Sequence, residues 1–367
     1  MRQFTSNFKT LFTIFFFLYS TFVLGAENII PTRVLQSQNQ WLNKIQLENG
    51  AIPMTAKSTD TTGEIKIVPY FANIAARGML EQKGNETSVR RYLDWYFNHL
   101  NHKDKDGLSG TVYDYRWNLV TKKEKATNDY DSVDSYGATF LTLLRAYYEK
   151  TGDKEYLLNH QKQILEITNS ISAVTHQEMT FAKASYKVKY LMDNCEVYAG
   201  WRDAAWLFEK VFADKKKATF YQHKADNLQK ALESSLWDEK KQHYSPGMFE
   251  TGKKLPFDWK NFYPDAASQL YPIWTGLISP DSPKAKYLYT TFCQHYPQWD
   301  SLLKPDPFPW AVIAYTATKM GDDKRINTFM QHIHRQYGLK HYPWPWYCME
   351  AGMTALTAGE LKKGDGK

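Results

Sequence analysis

The sequence predicts an all-α protein in which six helical hairpins close into a double ring, an (α/α)6 toroid with short β-hairpin excursions in the loops of one face. Three observations predict it. Five times an apolar helical run stops at a turn and gives way to a charged amphipathic run. The first run of each pair is apolar on more than one face, as a buried helix is, whereas the second carries one apolar stripe. A sixth apolar run has no partner after it and finds one at the N-terminus.

The five connections are "LEQKGNETS", "YEKTGDKEY", "EKVFADKKKA", "TGLISPDSPKA" and "ATKMGDDKRI". In each, Gly, Asp or Pro stops the first helix, and Asp or Asn can cap the second. Each unit is an αα-hairpin, and self-similarity of this kind marks a repeat architecture. The inner helices are expected to begin near Pro69, Asp131, Asp193, Pro264 and Asp306, with the sixth near Trp346 in "PWPWYCMEAGMTALTAGE". The segment "RVLQSQNQWLNKIQL" supplies the missing partner through Val34, Leu35, Trp41, Leu42 and Ile45. The excursions "GLSGTVYDYRWN" and "SLWDEKKQHYSPGMF" are expected to wall a cleft.

Residues 1–26 stand apart. Arg2 and Lys9 precede the apolar run "LFTIFFFLYSTFVL", which ends at Gly25-Ala26, the order of a secretory signal. The expectation is export, to the cell envelope or beyond, with cleavage near Gly25-Ala26. No stable membrane insertion should follow, and 27–367 should form a single domain and a monomer. Loss of Arg2 and Lys9 takes the formal charge from +7 to a mildly basic +5. The lysines gather in short loop clusters, no basic stripe or nucleic-acid motif appears, and nucleic acid is excluded as a partner. Three cysteines (Cys195, Cys293, Cys348) are too few for a disulfide framework and lack ligand spacing. "DKDGLSG" resembles half a calcium loop but places Tyr113 where the bidentate Glu belongs, so it reads as a turn. No metal or cofactor is expected. The 12 Trp and 25 Tyr exceed what packing asks for, and their flat faces suit sugar rings.

Acids and aromatics crowd the starts of the inner helices. The first has Glu64, Tyr70 and Asn73. The second has Asp129, Tyr130, Asp131, Asp134 and Tyr136, and the third has Asp193, Asn194, Glu196, Tyr198 and Trp201. The fourth has Tyr263 and Asp265, the fifth Asp306, Phe308 and Trp310, and the last Trp344, Trp346 and Glu350. Each acid alone reads as an N-cap stabilised by the helix dipole. Yet "DYDSVDS" offers more oxygen than one helix end uses, and capping does not call for tyrosines. If the inner helices run parallel, these residues share one face of the ring.

At this point the chain resembles the six-hairpin glycosidases, which include glucoamylases and unsaturated glucuronyl hydrolases. The resemblance is carried by hairpin order and by "NDYDSVDSYG", "LMDNCEVYAG", "SLWDEKKQHY" and "FYPDAASQLYPI". It implies hydrolysis of a poly- or oligosaccharide by two carboxyl groups, with inversion. In unsaturated glucuronyl hydrolases the functional aspartates lie in places similar to "YDSVDSYG" and "MDNCEVYAG". Asp193 is then one catalytic carboxyl and Asp134 or Asp131 the other; those two, three apart, are close enough to raise each other's pKa. Tyr263, Trp344 and Trp346 are expected to stack on sugar, with Trp201 divided between stacking and packing. Tyr70, Asn73, Tyr130, Tyr136 and Glu196 complete the cleft. Asp265 and Glu350 hydrogen-bond hydroxyls or assist the water. Two rivals remain: a glycan-binding ring without catalysis, and a polysaccharide lyase using Tyr136 or Tyr198 beside Arg202.

Overall fold

The computed structural model describes residues 29–59 and 61–364; the leader-like segment 1–26 lies outside them. Helices α1 (Ile29–Ile45), α2 (Pro69–Met79), α3 (Glu86–Asn98) and α4 (Asp134–Thr151) open the chain. They are followed by α5 (Lys154–Asn159), α6 (Gln161–Ala173), α7 (Leu191–Lys210) and α8 (Lys215–Ser235). The last are α9 (Tyr271–Trp274), α10 (Pro283–His295), α11 (Ala311–Met320), α12 (Asp323–Gln336) and α13 (Cys348–Gly364).

The inner helices touch in the order α2, α4, α7, α9, α11, α13, and α13 returns to α2, so the ring closes. Helix α1 packs on α13 and α12, the partnership expected for the N-terminal segment. The (α/α)6 toroid is therefore the observed architecture. Among the outer helices, α12 buries Ile326, Phe329, Met330 and Ile333, one stripe at helical spacing. Inner α4 is buried without a break from Asp134 to Leu141. Such helices approach closely only where side chains vanish. A Cβ on Gly78 would lie 2.4 Å from the Gly352 carbonyl oxygen, and one on Gly200 would lie 2.7 Å from the Ala138 Cα.

The fourth inner position departs from the expected long helix. A wide π-type turn, Phe262–Ala266, leads into the four-residue α9. Pro264 and Pro272 bring no amide hydrogen to that stretch, so a continuous helical ladder is broken there.

Strands gather on one face. β1 (Glu64–Ile67), β2 (Tyr115–Asn118) and β3 (Lys123–Ala126) form an antiparallel sheet with Ile67 opposite Tyr115. β4 (Thr175–His176) pairs with β5 (Met179–Thr180), and β6 (Val188–Tyr190) pairs with a later strand, β9 (Gly247–Phe249). Between them β7 (Trp237–Asp238) and β8 (His243–Tyr244) make a hairpin. Among the described residues no helix is long and apolar enough to cross a membrane, and no cluster of three metal-ligating side chains occurs. The "DKDGLSG" turn is held by Asp104, which accepts the amides of Asp106 and Leu108 and the hydroxyls of Thr111 and Tyr130.

Candidate active site

The N-terminal ends of the inner helices enclose a cavity of about 450 Å³. Its walls include Tyr70 from α2, Asp131 and Tyr136 beside α4, Asp193 from α7, Tyr263 from the π-type turn and Glu350 from α13. Six of the residues singled out in the sequence are thus brought together from five segments.

The acids at these helix starts are not caps of their own helices. Four outer helices are capped by a side chain at the preceding residue: Asp153, Asp214, Ser282 and Asp322. Inner α2, α4, α7 and α11 instead follow Val68, Val133, Tyr190 and Trp310, none of which caps with its side chain.

Asp193 lies in the first turn of α7. Burial pushes its carboxyl well above the ordinary value, and the charges of Asp134, Glu196 and Asp131 push the same way. Across the ring, Glu350 accepts the amides of Trp310 at 3.0 Å and Ala311 at 2.7 Å, so its orientation is fixed by the start of α11. Burial nevertheless raises Glu350 to about 7. Helices α7 and α13 stand three places apart in a ring of six, so these two carboxyl groups approach the cavity from opposite sides.

Asp134, one of the two alternatives for the second carboxyl, is placed behind the wall. It is fully buried and does not line the cavity. Its carboxylate accepts the Thr180 hydroxyl at 2.6 Å and the Ser135 amide at 2.8 Å, tying β5 to α4. Asn194 secures the same strand from α7, accepting the Thr180 amide at 2.8 Å. Burial lifts Asp134 to about 7. Its charge raises the Asp193 carboxyl, while Asp131 is the member of the pair that lines the open space.

Other expected residues are also placed behind the wall. Glu196 accepts the Tyr70 hydroxyl at 2.6 Å and, with Asn73, lines a second cavity of about 300 Å³ further along the ring axis. Asn73 bridges helices, donating to the Tyr136 carbonyl and accepting from Tyr92. Tyr130 is buried on Asp104. Trp201 is stacked on Tyr221 at 5.5 Å, in the core. Asp265 accepts the Asp258 amide, a loop-closing bond. Trp346 is only 1% exposed and packs between Tyr337 and Tyr342, whereas Trp344 is 50% exposed beside Phe308.

The cavity also holds residues the sequence reading did not select. Asp306, Phe308 and Trp310 had been placed at the right helix end without a role; Asp306 accepts both the Phe308 amide and the Trp310 indole N–H. Asp114, Tyr271 and Tyr347 were missed. Asp114 accepts the Tyr136 hydroxyl at 2.8 Å and is raised to about 7 by burial. Its only sequence signal was membership of the "GLSGTVYDYRWN" excursion.

No family model matches the chain, and no curated protein does. Solved structures do. A glycosidase superimposes with a TM-score of 0.64 at 14% identity, covering 92% of this chain and 98% of that one. An alpha-amylase from Clostridium perfringens gives 0.59 at 10% identity, covering 90% and 97%. An endoglucanase of glycosyl hydrolase family 8 from Klebsiella pneumoniae gives 0.54 at 15% identity, covering 90% and 100%. At these identities the likeness defines the fold, the six-hairpin toroid of these glycosidases, over nearly the whole described chain.

Proposed function

We propose that the protein is a glycoside hydrolase that cuts a poly- or oligosaccharide by acid–base catalysis. The observation that carries this is the opposition of Asp193 and Glu350 across a cavity walled by aromatic rings. The names of the structural neighbours support it, and one glycosidase of this fold was solved in complex with glucose.

Asp193 is the general acid. A carboxyl kept protonated by burial and by neighbouring charge can give its proton to the glycosidic oxygen as the bond breaks. Glu350 is the general base. Its backbone bonds fix its direction, and a pKa of about 7 leaves it basic enough to take a proton from water. Carboxyl groups on opposite inner helices leave room for that water, which favours a single displacement with inversion. Tyr263, half exposed and packed on Trp310 at 5.3 Å, and Trp344 offer faces at the mouth for further sugar units. The pattern of residues 1–26 supports export.

The test is reducing-end release from a panel of polysaccharides, with folded Asp193→Asn and Glu350→Gln beside wild type. Cleavage lost in both variants supports the assignment. Glycan binding without cleavage by wild type would make this a binding protein, and unsaturated products would make it a lyase.

A further inference from the structure

Acids line both cavities on the ring axis, but cationic side chains line one of them alone. The catalytic cavity is lined by Asp114, Asp131, Asp193, Asp306 and Glu350 and by no Lys or Arg. The second cavity, towards the other end of the axis, is where arginines line a space: Arg77, Arg145 and Arg202 stand there beside Glu149, Glu196 and Asp203.

Cations near the first cavity are engaged elsewhere. Lys304 turns its ammonium onto the carbonyl oxygens of Asp306 and Phe308, and from behind the wall its charge acts on Glu350 and Asp306. Lys105 and Lys183 both face Asp129, which does not line the cavity. Lys66 is exposed on β1. A carboxylate, sulfate or phosphate entering this space would exchange its water for a wall of acids, some of them charged, and meet no guanidinium or ammonium on the wall to pair with.

Asp193 and Glu350 are assigned to the chemistry. Asp306 commits one oxygen to the Phe308 amide and the Trp310 indole. That leaves Asp131, exposed at the wall, as the charge a ligand meets first, with Asp114 beside it, bonded to Tyr136 and only partly ionised at neutral pH.

We propose that the sugar unit held in this cavity carries no acidic group, and that Asp131 with Asp114 enforces the exclusion. This rests on the glycoside hydrolase reading for the site but concerns what the cavity admits. It also sets this chain apart from the glucuronyl specificity that the sequence resemblance brought into view. Sugar hydroxyls suit such a wall, because each donates a hydrogen bond to a carboxylate.

The experiment uses matched pairs: neutral glucans of several linkages, and the same glucans oxidised to carboxylates at C6. Binding to folded Asp193→Asn protein is measured by calorimetry at pH 7, and cleavage by wild type is measured separately. For at least one linkage the neutral member should bind about tenfold or more tightly than its oxidised partner. That gap should narrow several-fold in Asp193→Asn/Asp131→Asn. Equal or tighter binding of the oxidised member, a gap indifferent to Asp131, or no binding to any pair would overturn the proposal. Binding with the expected gap but no cleavage by wild type would instead sink the hydrolase reading and leave the exclusion standing.

Discussion

Replacing Asp134 by Asn removes one negative charge from behind Asp193 while keeping the shape of the site. The local bonds can survive. The new side-chain amide can donate to the Thr180 hydroxyl, which then donates to Asn194 Oδ1, now 3.1 Å away. Asp134 stands second only to burial among the influences that raise Asp193. Two carboxylates about 8 Å apart, in an effective dielectric of about 20, repel by about 2 kcal/mol, or about 1.5 pK units. The alkaline limb of kcat/KM against pH reports the acid that must stay protonated. With that neighbouring charge gone, the variant should move the limb down by about 1–1.5 units. At the optimum between the two limbs, activity should stay within several-fold of wild type. The assay is a pH–rate profile of wild type, Asp134→Asn and Asp193→Asn, each checked for fold. An unmoved limb would refute the electrostatic role. Loss of activity at every pH, as expected for Asp193→Asn, would instead make Asp134 a reacting group.

Three further outcomes are expected. Products released by the wild-type enzyme, followed by proton NMR at the anomeric carbon, should appear first with inverted configuration, and Glu350→Gln should lose at least about 10³-fold in kcat. Thermal stability should fall between pH 5 and pH 8. Asp114, Asp134 and Glu350 are all raised to about 7 from ordinary values of 3.8, 3.8 and 4.5. The folded protein therefore holds these protons more tightly than the unfolded chain, and their stabilisation is complete below pH 4 and lost as pH passes 7. Asp134→Asn should flatten that slope in calorimetric scans. Finally, Trp346→Ala should cost about 3–5 kcal/mol in denaturant unfolding, as a buried indole does. Trp344→Ala should cost under about 1 kcal/mol and raise KM.

The ring was legible because its signals are local and repeated: a turn every hairpin, a stripe on each outer helix, and apolar inner helices throughout. Its one break, at the π-type turn before α9, was also written locally, in Pro264 and Pro272. The site was half legible. Asp131 and Asp134 sit three residues apart in similar sequence, yet Thr180, which draws Asp134 inward, lies 46 positions away. Asp114 reaches the cavity from beside β2, whose position depends on pairing Tyr115 with Ile67 across a large sequence gap. The two tryptophans of "PWPW" diverge because the Trp346 amide donates to the Pro343 carbonyl at 2.9 Å, a turn that folds Trp346 under Tyr337 and Tyr342.

The acids of the inner helices show which of two forces decides their state. Asp134, Asp193 and Glu350 all lie in a first turn, where the helix dipole favours the charged form by about 0.3–1 kcal/mol at the surface. On that count alone each would be a stronger acid than usual. All three are instead weakened, and burial is the first cause in every case. The dipole is outweighed because the ring places these helix starts around one enclosed space, where a carboxylate loses water and gains like-charged neighbours. Outer helix starts have no such space. Asp214, which caps α8 with the same residue type, is held below its ordinary value by bonds from Lys217. A carboxyl at a helix start is thus an ionised cap on the outside of the ring and a buried, weakened acid within it, and the closure of six hairpins makes the difference.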